Sequence, residues 1–327
     1  MADTLVSAAV GGGFWLLSGG ALARSSRRVQ QEVGEDRVPL MGVLGAFVFC
    51  AQMVNFAIPG TGSSGHLGGG IFLAALLGPH AAVLVMGSVL LVQALFFADG
   101  GLLAFGCNLF NLGIVPGLVA YPLVFRPLNR RGHRMTAAVL GSVVALQLGA
   151  LGVVLETSLS GLAGLPIKAF MSSMLLIHLP IALVEGLVTA GLLAFVARAR
   201  PDALVDRVSS ASQRILGSFL ALALLTGGVL SWVSSSRPDG LEWSLARTAA
   251  PAGARLNPLH QWASRFQQRT AVLPDYAFRQ AGAEANPARR AETSLSAFLG
   301  GVGTILLVAG TGWVLGKLRN KSARAPG

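Results

Sequence analysis

Apolar residues in this chain fall into long charge-free runs. Residues 38–98 contain no Asp, Glu, Lys or Arg. That stretch is far longer than the roughly 20 residues one membrane-crossing helix needs. Further charge-poor runs occupy 4–23, 100–125, 135–155, 169–197 (broken only by Glu185), 215–236 and 293–316. Backbone polar groups find no water in lipid, so such runs are predicted to be helical. Turn signals at Pro59–Gly65 and at Gly78-Pro79 divide the long run into spans near 38–57, 66–78 and 80–98. The middle one is short and is expected to be partly re-entrant or buried in protein. Nine apolar segments result.

Composition supports a bilayer as the solvent. Charged residues are 12% of the chain and hydrophobic ones 53%, with a mean hydropathy of +0.64. A soluble surface needs about twice that charge, and disorder needs low hydrophobicity. The net charge of +11 does not point to nucleic acid, because its distribution is topological. Sixteen of the 25 cations sit in four short segments: Arg24, Arg27, Arg28 and Arg37; Arg126, Arg130, Arg131 and Arg134; Arg198, Arg200, Arg207 and Arg214; and Lys317, Arg319, Lys321 and Arg324. The loops 57–65, 99–101 and 156–167 hold none. The positive-inside rule then places the four basic segments in the cytoplasm, the N-terminus outside and the C-terminus inside. The N-terminus, with Asp3 and no basic lead, does not read as a signal peptide. Cys50 and Cys107 lie in apolar runs and read as inert buried thiols. Glycines at small-residue spacing, such as Gly141, Gly149 and Gly152 or Gly300, Gly303 and Gly310, read as close helix packing.

The most informative segment is the Gly/Ser-rich stretch from Asn55 to Gly70, an irregular sequence at membrane depth. Irregular backbone is tolerated there only where protein buries it or a cavity needs it. His66 is its one strong metal ligand, and neutral imidazole suits Ni, Cu, Zn and Fe. Three other readings compete. Gly60–Gly65 formally matches a dinucleotide fingerprint, but no strand precedes it. Gly62-Ser-Ser-Gly65 resembles the G-x-S-G of intramembrane serine proteases, with Ser64 as nucleophile and His178 as base. The plainest alternative is a tight turn around a hydrogen-bonded histidine. His178 and Glu185, about two helical turns apart, read as a structural polar pair or a docking surface. Asp99 reads as the outer end of a span, and His260 as a surface residue. No P-loop is present, so hydrolysis of ATP would fall to another polypeptide.

The run Met53-Val-Asn-Phe-Ala-Ile-Pro-Gly-Thr-Gly-Ser-Ser-Gly-His-Leu-Gly-Gly-Gly70, with Val92–Asn111 and His178-Leu-Pro-Ile-Ala-Leu-Val-Glu-Gly186 behind it, resembles the cobalt/nickel-specific substrate-capture components of energy-coupling-factor transporters (the CbiM/NikM family). The similarity covers about residues 1–230. It implies a seven-helix membrane bundle that captures Co²⁺ or Ni²⁺ from outside. It also implies a transmembrane coupling subunit and two ATPase subunits as partners, with no permanently bound cofactor. Family members begin Met-His and grip the metal with the terminal amine, the second-position histidine and the histidine of Gly-His-Leu-Gly-Gly. Here residue 2 is Ala, and the opening Met-Ala-Asp-Thr-Leu-Val-Ser resembles a family N-terminus from its third residue on. The expectation is that a Met-His precedes Met1. With the start as given, His66 and the terminal amine of Met1 carry over. Asn55, Ser63, Ser64, Asn108 and Asn111 are expected to orient the ligands by hydrogen bonds.

Residues 214–316 read as helix, long outside loop, helix. Pro238-Asp-Gly-Leu-Glu242 looks like the signature of the small two-span accessory subunit of nickel/cobalt transporters. The chain therefore resembles a fusion: a metal-capture bundle over 1–212, then an accessory domain over 213–327 with an external loop over 234–293. The expected fold is an all-α polytopic membrane protein, seven helices plus two, in the bacterial inner membrane and in contact with lipid. The expected role is the capture subunit of an ATP-driven Ni²⁺ or Co²⁺ importer. An intramembrane serine hydrolase and a stand-alone metal channel or carrier are the alternatives.

Overall fold

The computed structural model describes residues 1–32, 35–161, 164–199, 213–248, 257–278 and 287–323. Eleven helices make up nearly all of it: α1 (Ala8–Glu32), α2 (Val38–Gln52), α3 (Gly70–Leu77), α4 (Pro79–Phe96), α5 (Phe105–Arg130), α6 (Arg134–Ser160), α7 (Ile167–Ala199), α8 (Gln213–Gly228), α9 (Gly240–Arg247), α10 (Pro258–Thr270) and α11 (Pro287–Ala323). Among the described residues, the one departure from an all-α chain is a two-residue antiparallel ladder. It pairs Phe56 with Gly65 and Ala57 with Ser64.

Each of the nine apolar segments contains a helix, though not all are full spans. Six described helices are long and apolar enough to cross a membrane: α4, α5, α6, α7, α8 with its continuation to Val233, and α11. Helix α2 has 15 residues, about 22 Å of length. Helix α1 spends its last two turns on Arg24, Arg27 and Arg28. Helix α3 has only eight residues, seven of them buried, because 66–69 is non-helical. Its ends are set by glycines that take positive φ, Gly69 (+78°) and Gly78 (+85°), a conformation that β-carbons resist. Pro79 then opens α4, where a missing N–H is harmless.

Helix α5 is unusual. From Phe110 to Phe125 it is wound as a π-helix, with Pro116 and Pro122 inside. Proline removes an N–H and crowds the carbonyl four residues back; the wider coil accommodates both. Such winding tends to accompany functional sites.

The accessory helices are part of the core. Phe219 of α8 packs edge-on against Phe47 of α2 and tilted against Phe72 of α3. A side chain on Gly300 of α11 would fall within the Phe49 ring of α2, so the absent Cβ allows the contact. Gly149 and Gly152 of α6 admit Asn111 in the same way, whereas Gly310 meets nothing. Cys50 and Cys107 are free and buried. The expected boundary at 212 borders the undescribed stretch 200–212.

Helix direction separates two ends. The arginines closing α1 and α5 gather at one end, where His80 of α4 meets Ser25 of α1 and Gln30 reaches the Leu315 carbonyl of α11. The opposite end collects Met1, residues 53–69, residues 97–104, residues 234–248 and residues 257–278. Gly101 N–H donates to the Met1 carbonyl, Ser235 N–H to that of Asn55, and Val272 N–H to that of Phe96.

Candidate metal centre

The His66 segment is shaped by side chains from other helices. After the ladder, Gly60 and Gly62 turn the chain with φ of +75° and +77°, and Ile58 N–H closes the turn on the Ser63 carbonyl at 2.9 Å. Beyond His66, Gly68 N–H and Gly69 N–H donate to the two carboxylate oxygens of Glu185, at 2.7 and 3.1 Å. Gln93 donates to Gln52, and Gln52 to the Gly68 carbonyl. His66 is half-buried. Its Nδ1 lies 3.3 Å from the Leu67 carbonyl. A carbonyl only accepts, so in a neutral ring this bond sets the proton on Nδ1 and turns the lone pair to Nε2.

His66 lines a cavity of about 150 Å³. Met1, Asn108, Asn111, His178, Glu185 and Asp239 also contribute to its wall. The Met1 amine donates to Asn108 Oδ1 at 2.9 Å, and Asn108 Nδ2 donates back to the Met1 carbonyl at 3.2 Å. Asp3 Oδ1 accepts from Ala104 N–H. Burial pushes the Asp3 carboxyl above its ordinary range, and backbone N–H groups, Ala104 foremost, pull it partly back. Among the described residues, no three His, Cys, Asp or Glu side chains converge as a metal cluster.

The structure sorts the expected site residues into groups. Met1, His66, Asn108, Asn111, His178 and Glu185 share the cavity. His178 and Glu185 do not bond to each other: His178 Nδ1 takes the Met174 carbonyl at 2.8 Å, while Glu185 holds the glycines beyond His66. Asn55, Ser63 and Ser64, expected around the imidazole, turn to the accessory segment. The Asn55 N–H and carbonyl bind Ser234 Oγ and Ser235 N–H. The Ser63 hydroxyl donates to the Pro238 carbonyl. Ser64 Oγ donates to the Arg237 carbonyl at 2.8 Å, and Ser64 N–H to that of Pro238 at 2.8 Å. These carbonyls of a tight turn lack helical partners, so they draw the donors away. A serine hydroxyl committed to the Arg237 carbonyl does not favour the hydrolase alternative.

Each position of Pro238–Glu242 has a local reason. Pro238 supplies a carbonyl. Asp239 caps α9 by accepting Glu242 N–H at 2.8 Å, and Glu242 answers to Asp239 N–H, a complete capping box. Gly240 lies so close to His178 that a Cβ would stand 3.0 Å from its Cε1. Leu241 packs with Phe170 and Met174. Farther along, the accessory loop grips the rest of this end. Gln267 bonds the Ala94 and Gly100 carbonyls and Leu102 N–H. The Tyr276 hydroxyl donates to Asp99, and its ring stacks on Phe97. Burial, with Asp99 beside it, drives the Tyr276 phenol well above its usual range.

His260 corrects the expectation of a surface residue. It is 3% exposed, with Nε2 on the Val6 carbonyl at 2.8 Å and Nδ1 on Asn257 Oδ1 at 2.7 Å. Gln52, Gln93, Glu156, Asp239 and Gln267 also escaped the sequence reading. The Asn257-Pro258 helix start was the one local sign that α10 would present a structured face.

Long apolar helices around a small cavity with a few polar groups in its wall define a multi-pass membrane protein. Residues 1–203 match the family described as the cobalt uptake substrate-specific transmembrane region, and residues 213–317 match the PDGLE domain. The chain belongs to that cobalt-uptake family and carries a PDGLE domain behind it. A putative fused nickel transport protein NikMN of Archaeoglobus fulgidus is 32% identical over 274 residues, 84% of this chain and 86% of its own length. A putative metal transport protein of Haloquadratum walsbyi is 40% identical over 200 residues, 61% of this chain and 90% of its own. The crystal structure of a truncated transition metal transporter aligns with a TM-score of 0.55 at 26% identity, covering 61% of this chain and 98% of that one.

Proposed function

We propose that this chain is the metal-capturing membrane subunit of an energy-coupling-factor importer for Ni²⁺ or Co²⁺, its PDGLE domain serving as a built-in accessory subunit. The observation that carries the reading is the cavity that His66 and Met1 share, where the neutral imidazole offers Nε2 as a ligand. Amine, amide and imidazole nitrogens suit Ni²⁺ and Co²⁺. A relative aligned across both parts bears the name of a nickel transport protein. The ion is cargo, and no resident cofactor is invoked.

In this reading the basic end faces the cytoplasm of a bacterial cell and the cavity opens outside. A transmembrane coupling subunit and two ATPase subunits supply the energy. The chain's sparse intramembrane charges argue against a proton-coupled carrier, whose relays need Asp, Glu or His chains.

Isothermal titration of Ni²⁺ and Co²⁺ into the purified chain tests the capture site. His66→Ala is expected to lose binding by about a hundredfold or more, and Ser64→Ala to keep it. Chains beginning Met-Ala-Asp and Met-His-Met-Ala-Asp, titrated side by side, measure what a second imidazole adds. Undiminished binding by His66→Ala would refute the site. Uptake by the chain alone, without ATPase subunits, would refute the importer.

A further inference from the structure

The nitrogen donors of this cavity leave a charge unanswered. Imidazole, amine and amide nitrogens bind a metal without bringing negative charge, so a dication held by them keeps its full charge inside a lipid-surrounded bundle. Ions there need an opposite charge close by. Among the described residues no Lys or Arg lines the cavity, and Asp239 in its wall is engaged in capping α9. Two buried carboxylates stand beside it. Glu185 is 1% exposed and forms part of the wall. Its two oxygens already hold Gly68 and Gly69, so it acts on the cavity through its charge.

Glu156 of α6 is the second, at 0% exposure. Its Oε2 accepts from Asn111 Nδ2 at 2.9 Å, and Asn111 lines the cavity. Glu156 Oε1 and Asn111 Oδ1 are both buried without a hydrogen-bond partner. The next residue, Thr157, reaches the Met1 sulfur at 3.8 Å, which sets this turn of α6 against the start of the chain. Among the described residues, Glu156 thus has one hydrogen bond and, as its cation, only the chain's terminal ammonium, so it is placed to answer a positive charge that arrives at this end of the cavity.

We infer that Glu156 and Glu185 are the counter-charges of the captured dication. They do not ligate it. Their two negative charges offset its two positive ones, one across Asn111 and the other across the Gly68–Gly69 backbone. The attraction each exerts on a dication is twice that on a monovalent ion at the same distance, so the pair favours divalent cargo. This inference rests on the reading of the cavity as a Ni²⁺ or Co²⁺ site.

Glu156→Gln tests it, because glutamine keeps the shape and the acceptor for Asn111. Ni²⁺ titration and thermal unfolding are run on the full chain in detergent, with and without Ni²⁺. The variant is expected to bind Ni²⁺ about tenfold more weakly or worse, and to stay close to the parent in heat stability without metal, since the buried charge it removes is only partly compensated there. Glu156→Asp, which keeps the charge, is expected to restore most of the affinity. A metal-free Glu156→Gln that unfolds earlier, with Glu156→Asp no better, would show a structural role and overturn the inference. So would unchanged Ni²⁺ binding by Glu156→Gln while His66→Ala has lost it. If His66→Ala also binds as the parent does, the site itself is wrong and the counter-charges fall with it.

Discussion

Two polar segments meet at the cavity end, and they are built by opposite means. Residues 53–69 carry no charge and depend on distant groups: Glu185 of α7 for Gly68 and Gly69, Gln52 for the Gly68 carbonyl, Ile181 against Gly65. The turn at Pro238–Glu242 supports itself, with its own cap, capping box and helix. The first can take its shape only inside the assembled bundle, whereas the second has its geometry before it docks. A self-supporting turn set against an adaptable loop fixes both by backbone contacts, as Ser64 and Pro238 show.

The comparison breaks most sharply at Glu185. Glu185→Ala leaves two buried N–H groups without acceptors and is expected to destabilise the bundle by about 2–5 kcal/mol. Thermal unfolding in detergent measures it, and a shift no larger than that of a surface substitution would mean the loop holds its own shape. Gly240→Ala comes next. Its Cβ would meet His178 Cε1 at 3.0 Å and Ile177 at 3.2 Å, with an expected cost of about 1–3 kcal/mol. The turn is expected to stay folded and separate from the bundle, so faster proteolysis confined to 234–278 is the readout. Uniform destabilisation of the whole chain would contradict a self-supporting turn.

The smallest effect concerns Asp3. Its carboxyl is raised in the folded chain, so the folded state holds a proton more tightly than the unfolded one. The stabilisation from that proton is complete below the unfolded pKa and is lost as pH rises through the folded one. Asp3→Asn keeps an acceptor for Ala104 and is expected to flatten this decline, with equal or slightly greater stability at neutral pH. A steeper loss of stability with rising pH in the variant would reverse the sign.

Much of the architecture was open to sequence reasoning, because lipid imposes rules that act locally. A charge-free run must satisfy its own backbone, so nine helices could be placed before any contact was known. Arginine clusters separated the two ends. Glycine density marked the His66 segment as irregular, and Pro-Asp-Gly-Leu-Glu announced a capped turn. That the 66–78 span would be short and buried was legible too; that Glu185 would take the N–H groups of Gly68 and Gly69 was not.

What the folded chain alone decided is which polar groups meet. Glu156 stands at the edge of an apolar run and gave no sign that Asn111, 45 residues away, would face it. His260 sits in a polar stretch, yet Val6, 254 residues earlier, makes it a buried clasp. Hydrophobic runs, prolines and glycines act through neighbouring residues, so the sequence carries them openly. A hydrogen bond between distant elements depends on helix spacing and rotation, which exist only once the whole bundle has packed.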